Sequence, residues 1–163
     1  GSRVLDAACG TTSTGRYLAA RGWRVIALDV SIAALRLARL KACTEQSRSA
    51  QKEALPVSFA VMDMTDLWLP EAYFDVILNF FFLSRPLWST YRRSLKPGGL
   101  LFFETFLREA DANPAHYLDS LELNNAFNDW EVVHYAEIQR HTHARDGADR
   151  TRRVAQLVAR KPK

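Results

Sequence analysis

Short apolar runs alternate with amphipathic stretches along most of the chain. The runs at Arg3–Ala7, Arg24–Asp29, Val57–Val61, 74–79 and 100–104 are five to six residues long and rich in Val, Ile, Leu and Phe. That length and composition predict strands, the first of them buried. Between them, residues 14–21 carry a helical pattern that ends at Gly22, suited to a C′ position. Ser31 stands as an N-cap before a longer helix from Ile32, with Leu35, Leu37, Ala38 and Leu40 as its apolar residues and Arg36, Arg39 and Lys41 on a basic outer face. Residues 44–54 are polar and read as helix tail or loop. Residues 87–95 form another helix, and Lys96-Pro97-Gly98-Gly99 a turn, since Pro presets one angle and Gly supplies a positive φ. A helix over 114–127, capped by Asn113, follows. Residues 130–138 and 152–159 alternate in polarity and flank a polar loop with Asp146-Gly147, which predicts an antiparallel hairpin. Strand–helix alternation of this kind argues for an α/β protein with a largely parallel sheet covered on both faces and an antiparallel edge.

Composition changes this picture little. With 163 residues, 48% of them hydrophobic, the chain is sized for one domain with a proper core. The net charge of +4 suits anionic substrates but is too small to indicate nucleic-acid binding by itself. Two cysteines, Cys9 and Cys43, give neither a disulfide framework nor zinc-ligand spacing, so reduced thiols and a cytoplasmic location are expected. No apolar run is long enough for a membrane span.

The chemistry gathers at the first strand. Val4-Leu5-Asp6-Ala7 runs into a turn of small residues, Ala8-Cys9-Gly10-Thr11-Thr12-Ser13-Thr14, and a helix follows at once. Such a turn presents backbone N–H groups and a helix N-terminus to a ligand. Four further signals follow in order: Asp29 after the second strand, Asp63-Met64 after the third, Phe74-Asp75-Val76-Ile77 in the fourth, and Leu95-Lys96-Pro97-Gly98-Gly99 before the fifth. Together with Asp6-Ala7-Ala8-Cys9-Gly10 they resemble the class I S-adenosylmethionine-dependent methyltransferases. Phe82-Leu83-Ser84-Arg85, Glu104-Thr105-Phe106 and Asn113-Pro114 resemble the small tellurite-resistance type. A nicotinamide-binding domain would share the first turn and Asp29 but leaves the Pro-Gly-Gly turn and the closing hairpin unexplained.

The resemblance implies a Rossmann-like, doubly wound, seven-stranded sheet of order 3-2-1-4-5-7-6 with strand 7 antiparallel. It implies S-adenosylmethionine as cofactor and a small-molecule methyl acceptor. The family's turn carries three glycines where this chain has Ala8, Gly10 and Thr12. Hydroxyls of Thr11, Thr12, Ser13 and Thr14 would then either bind the cofactor or cap the helix. By the family pattern Asp29, with Val30 beside it, takes the ribose hydroxyls; the alternative is an acid capping the next helix. Asp63 accepts from the adenine amine and Met64 donates through its backbone; the alternative is a solvated turn acid. Asp6 braces the loop or meets the methionine ammonium. Asn79 turns its backbone carbonyl to the same group.

Arg85 and Glu104 are candidates for gripping the acceptor, with a surface or loop arginine as the alternative for Arg85. Cys9 packs as a small apolar residue, since no base lies near it. Asn79-Phe80-Phe81-Phe82 is similar to the signature of nucleobase-amine methyltransferases but lacks both prolines, so an aromatic core and pocket wall is the preferred reading. His141 and His143 share a strand face with no third ligand, and Arg140 and Arg145 would repel a cation, so no metal is expected. The basic residues Arg150, Arg152, Arg153, Arg160, Lys161 and Lys163 read as a solvated edge guarded by charge. A nucleic-acid methyltransferase and a non-catalytic cofactor-binding domain are the competing functions. The chain has only two residues before the first strand, where the family usually carries helices. Open cofactor binding is therefore expected, with an apolar strip that a homodimer or another chain covers.

Overall fold

The computed structural model describes residues 1–48, 55–109, 112–143 and 149–163. Seven strands form one sheet: β1 (Arg3–Ala7), β2 (Arg24–Asp29), β3 (Val57–Val61), β4 (Phe74–Phe80), β5 (Leu95–Phe106), β6 (Glu131–His143) and β7 (Asp149–Arg160). Their order is β3-β2-β1-β4-β5-β7-β6. The first five strands are parallel, β7 runs antiparallel to β5, and β6 antiparallel to β7. Sheet order and closing hairpin are those the sequence pattern and the resemblance predict. The loop residues Asp146-Gly147 and residues 49–54 lie outside the described residues.

Successive residues of a strand face opposite sides, and the core divides accordingly. Val4, Val76 and Leu78 pack on one side with Val25 and Ala19, the latter from helix α1 (Ser13–Ala19). Leu5, Ile77, Leu101 and Phe103 pack on the other. Helix α3 (Leu87–Ser94) covers that side with Leu87 and Tyr91. Helix α2 (Ile32–Arg48) is capped by Ser31, whose hydroxyl accepts from Ala34 N–H at 3.2 Å. It buries Leu35, Ala38 and Ala42, whereas Leu37 and Leu40 face solvent. The buried face is therefore narrower than the leucine content suggests. No helix among the described residues is long and apolar enough to cross a membrane.

Two expectations need correction. Strand β5 starts at Leu95, so Lys96–Gly99 lies within it rather than in a separate turn. Gly98 does adopt positive φ, 76°. The shift in register between Phe74 and Val76 on β4 absorbs the irregularity. Second, only Glu122–Ala126 (α4) is α-helical in the stretch 114–127. Asn113 caps a turn, accepting from Ala115 N–H at 2.9 Å through Oδ1. Its continuation is held open by tertiary bonds. Leu118 is fully buried and exchanges backbone bonds with Phe106 and Arg108. The Pro114 and Tyr117 carbonyls accept from Arg85 at 2.9 and 3.1 Å. These bonds take carbonyls that a helix would have used internally.

Candidate functional site

A cleft of about 490 Å³ lies at the C-terminal ends of the parallel strands. It is lined by Asp6, Ala8–Gly10, Thr12–Thr14, Phe80, Phe81, Glu104 and Arg140. Open α/β sheets bind ligands at that end of the sheet.

The turn after β1 has a specific backbone. Ala8, Gly10 and Thr12 have φ of 50°, 53° and 46°. All three positions where the family carries glycine are thus left-handed, although only one holds glycine here. An L-residue in that region costs roughly 1–2 kcal/mol. The turn keeps this conformation through three fastenings. Cys9 N–H donates to the Leu28 carbonyl at 2.9 Å. Gly10 N–H donates to Asp29 Oδ2 at 2.7 Å. Thr12 Oγ1 donates to Asp6 Oδ2 at 2.5 Å inside the core. The Thr12 hydroxyl therefore braces Asp6, and the side chain makes no cap bond to α1. Gly15 is where a glycine became obligatory: a Cβ there would lie 2.1 Å from Thr12 Oγ1 and 2.8 Å from Asp6 Oδ2.

Burial pushes the Asp6 carboxyl up to about 6, helped by the charge of Asp29 and opposed by the bonds from Thr12 and Gly15. Burial also raises the Cys9 thiol to about 12, with the charges of Asp6 and Asp29 adding to it. A thiol so raised is not a nucleophile near neutral pH.

Asp29 accepts from Ser31 N–H at 2.8 Å through Oδ1, so one carboxylate ties the β1 turn to the start of α2. Val30 beside it is largely exposed. Asp63 is exposed and accepts from Thr65 N–H and Oγ1 at 2.8 and 2.7 Å, both through Oδ1. Thr65 holds its carboxyl below the usual carboxylate range. Met64 buries its side chain in the core, which fixes its backbone at the turn. Asn79 is buried, and its Nδ2 donates to Tyr91 Oη at 3.0 Å. That side chain is turned into the core, which leaves no amide at the cleft for a nucleobase amine. Phe80 and Phe81 form the wall instead.

The two acceptor candidates separate. Arg85 does not line the cleft. Its Nε and Nη2 pair with Glu122 at 2.5 and 2.8 Å, and it also donates to the Pro114 and Tyr117 carbonyls. It fastens the segment before α4. Glu104 does line the cleft, 5% exposed. It accepts from Arg140 Nη1 at 2.6 and 2.7 Å and from Gln156 Nε2 at 2.7 Å.

Arg140 was not among the expected site residues. β5 ends at Phe106 opposite Val154, while the β6–β7 pair runs on to His143 and Asp149. Arg140 lies on that overhang and reaches back to Glu104. The signal in the sequence was a buried acid, Glu104, in need of a cation from another strand. His141 Nδ1 lies 3.1 Å from Thr151 Oγ1, and among the described residues no group of three ligating side chains converges.

A family model described as a methyltransferase domain matches residues 4–99. The chain belongs to the class I methyltransferase family, whose members use S-adenosylmethionine. Malonyl-[acyl-carrier protein] O-methyltransferase of Enterobacter lignolyticus is 33% identical over 109 residues, 67% of this chain and 41% of the relative. TehB of Haemophilus influenzae superimposes with a TM-score of 0.80 at 20% identity, over 98% of this chain and 57% of that one. Phosphoethanolamine N-methyltransferase 2 of Haemonchus contortus, in complex with S-adenosyl-L-methionine, gives 0.74 at 16% identity, over 100% and 49%. The chain spans about half the length of the curated relatives it matches. The matched residues 4–99 include Asp6, Gly10, Asp29, Asp63 and Asn79.

Proposed function

We propose that this chain binds S-adenosylmethionine across the β1 turn and transfers its methyl group to a small anionic acceptor beside Arg140. The observation that carries the reading is the turn itself. Three left-handed residues face the cleft, a Cβ at Gly10 would meet nothing within 4 Å, and Asp29 is fastened to Gly10. That donor set suits the cofactor. A carboxylate has about four acceptor sites, so Asp29 can hold its two backbone donors and still accept ribose hydroxyls. Asp6, its carboxylate held by Thr12, would take the methionine ammonium together with the Asn79 backbone carbonyl. Asp63 and Met64 serve the adenine edge, and Val30 and Ala8 give apolar contact.

When bound, the cofactor supplies a methyl carbon that bonds to the acceptor's electron pair while the carbon–sulfur bond breaks and its electrons return to sulfur. An anionic acceptor brings its own electron pair and has no proton to lose, so no general base is required of the chain. The residues orient and exclude water. Arg140, anchored by Glu104, grips the acceptor's negative group; an oxyanion, carboxylate or thiolate meets this requirement. The relatives named as O-methyltransferases fit an oxygen acceptor, and the basic net charge fits an anionic one.

Calorimetric titration with S-adenosylhomocysteine, S-adenosylmethionine and NAD tests the cofactor. Binding of the first two is expected, and binding of NAD alone sinks the reading. Asp29→Ala should weaken S-adenosylhomocysteine at least about ten-fold, the worth of a charge-assisted pair of hydrogen bonds. Unchanged affinity removes Asp29 from the site.

A further inference from the structure

Phe81 follows β4 with φ of 60°. A bulky side chain in the left-handed region is a genuine outlier, costing roughly 1–2 kcal/mol. Phe81 holds this conformation while 42% exposed, so part of its ring faces solvent at the cleft. Its N–H donates to the Glu104 carbonyl at 2.7 Å. Its ring lies against Phe106, centroids 5.1 Å apart and planes 31° apart, and Phe106 in turn meets Tyr117 at 6.4 Å. The Arg140 guanidinium stands 5.6 Å from the Phe81 centroid. Glu104 thus fixes both neighbours, Phe81 through its backbone carbonyl and Arg140 through its carboxylate. Strain of this kind persists where the surroundings over-determine it, and it concentrates at ligand clamps.

We infer that Phe81 is a specificity-determining platform: its ring stacks on a flat, conjugated acceptor whose anionic group reaches Arg140. The inference rests on the acceptor site proposed above and narrows its substrate class. A cation beside an aromatic face recognises a molecule with a planar apolar body and a negative end. A saturated acceptor of equal charge and size can use the cation but loses the stacking, worth roughly a three- to ten-fold change in affinity. Phe106 packs against the ring, and Glu104 bonds both the Phe81 N–H and Arg140, so the spacing of ring and cation is set before the acceptor arrives.

Benzoate and cyclohexanecarboxylate, alike in charge and size, separate the two contributions. Their affinities are to be measured by ligand-observed NMR titration, with and without S-adenosylhomocysteine. The wild-type chain should bind benzoate three- to ten-fold more tightly than cyclohexanecarboxylate. Phe81→Leu should erase that preference, while Arg140→Gln should weaken both probes together and keep their ratio near the wild-type value. Phe81→Asn, which tolerates the left-handed backbone, provides a second variant without the ring and should lose the preference as well. Equal binding of the two probes, no binding of either, or a preference that survives both Phe81 variants overturns the platform. The wild-type ratio alone is decisive if the variants fail to fold. Failure of S-adenosylhomocysteine to bind, with the benzoate preference intact, would instead overturn the cofactor reading and leave the platform standing.

Discussion

At the scale of single residues, the β1 turn shows how one conformation is kept with different side chains. Ala8 and Thr12 both sit in left-handed backbone, yet substituting them by glycine should have opposite effects. Ala8→Gly removes steric strain and loses one methyl group, so stability should rise by about 0.5–1 kcal/mol after the entropy of the more flexible unfolded chain is counted. Thr12→Gly relieves similar strain but strips the buried Asp6 of its hydroxyl donor. An unsatisfied buried acceptor costs about 1–3 kcal/mol, so this variant should be destabilised. Urea denaturation of the two variants beside the parent checks the signs; a gain for Thr12→Gly would mean that its bond to Asp6 does not matter. The glycine pattern was half legible in the sequence. Gly10 marked the centre of the turn, but nothing local says that Ala8 and Thr12 keep the glycine geometry. That information lies in Asp29 and Leu28, on another strand, which hold Gly10 and Cys9 from across the turn.

At the scale of elements, the strands were legible and the connection from β5 to β6 was not. Strands β1, β2 and β4 are largely buried, and even the half-exposed edge strand β3 keeps a short apolar run, so the signal is carried locally. The stretch 114–127 has helical composition, but its backbone is claimed by distant partners. Arg85 takes the Pro114 and Tyr117 carbonyls, and Glu137 accepts from Leu121 N–H at 2.7 Å and from Ser120 Oγ. Both anchors are far away in sequence, so periodicity could not reveal them. Arg140 escaped for the same reason, since its place depends on the length by which β6 overhangs β5. Arg85→Ala should therefore loosen the segment rather than the sheet. Losing a bidentate ion pair and two carbonyl bonds at a half-buried site should cost about 1–2 kcal/mol. Hydrogen exchange should accelerate at Leu118 and Glu122 while amides of β1 and β4 stay protected. Uniform acceleration across the sheet would show that Arg85 supports the whole fold. Because Arg85 lies outside the cleft, affinity for S-adenosylhomocysteine should change little.

At the scale of the whole molecule, the shifted carboxyls should give stability a maximum in mildly acidic solution. Glu122 is held below its ordinary value by the Arg85 bond, against the cost of burial. Burial works against Glu137 and Asp75 too, but Leu121 N–H and Tyr135 lower the first, and Arg3 N–H and Lys96 lower the second. Groups lowered in the folded state contribute stability above their unfolded values near 4, and lose it as pH falls through the folded ones. Asp6 has the opposite sign. Its folded value of about 6 lies above the 3.8 of an unperturbed carboxyl. The folded state therefore holds that proton more tightly, and stability declines as pH rises from about 4 to 6, then levels. A shift of about two units corresponds to a change on the order of 3 kcal/mol. Asp6→Asn keeps an acceptor for Thr12 and removes the ionisation. Its melting temperature should exceed the parent's at pH 7.5, the two should converge near pH 4, and the decline between 4 and 6 should vanish. The same substitution removes the charge proposed to meet the methionine ammonium, so S-adenosylhomocysteine should bind less tightly to the more stable protein. A carboxylate whose ionisation opposes folding, lining the cleft, is what the proposed ligand's ammonium would account for. If Asp6→Asn gains stability at pH 7.5 and binds S-adenosylhomocysteine as before, Asp6 serves only to brace the turn.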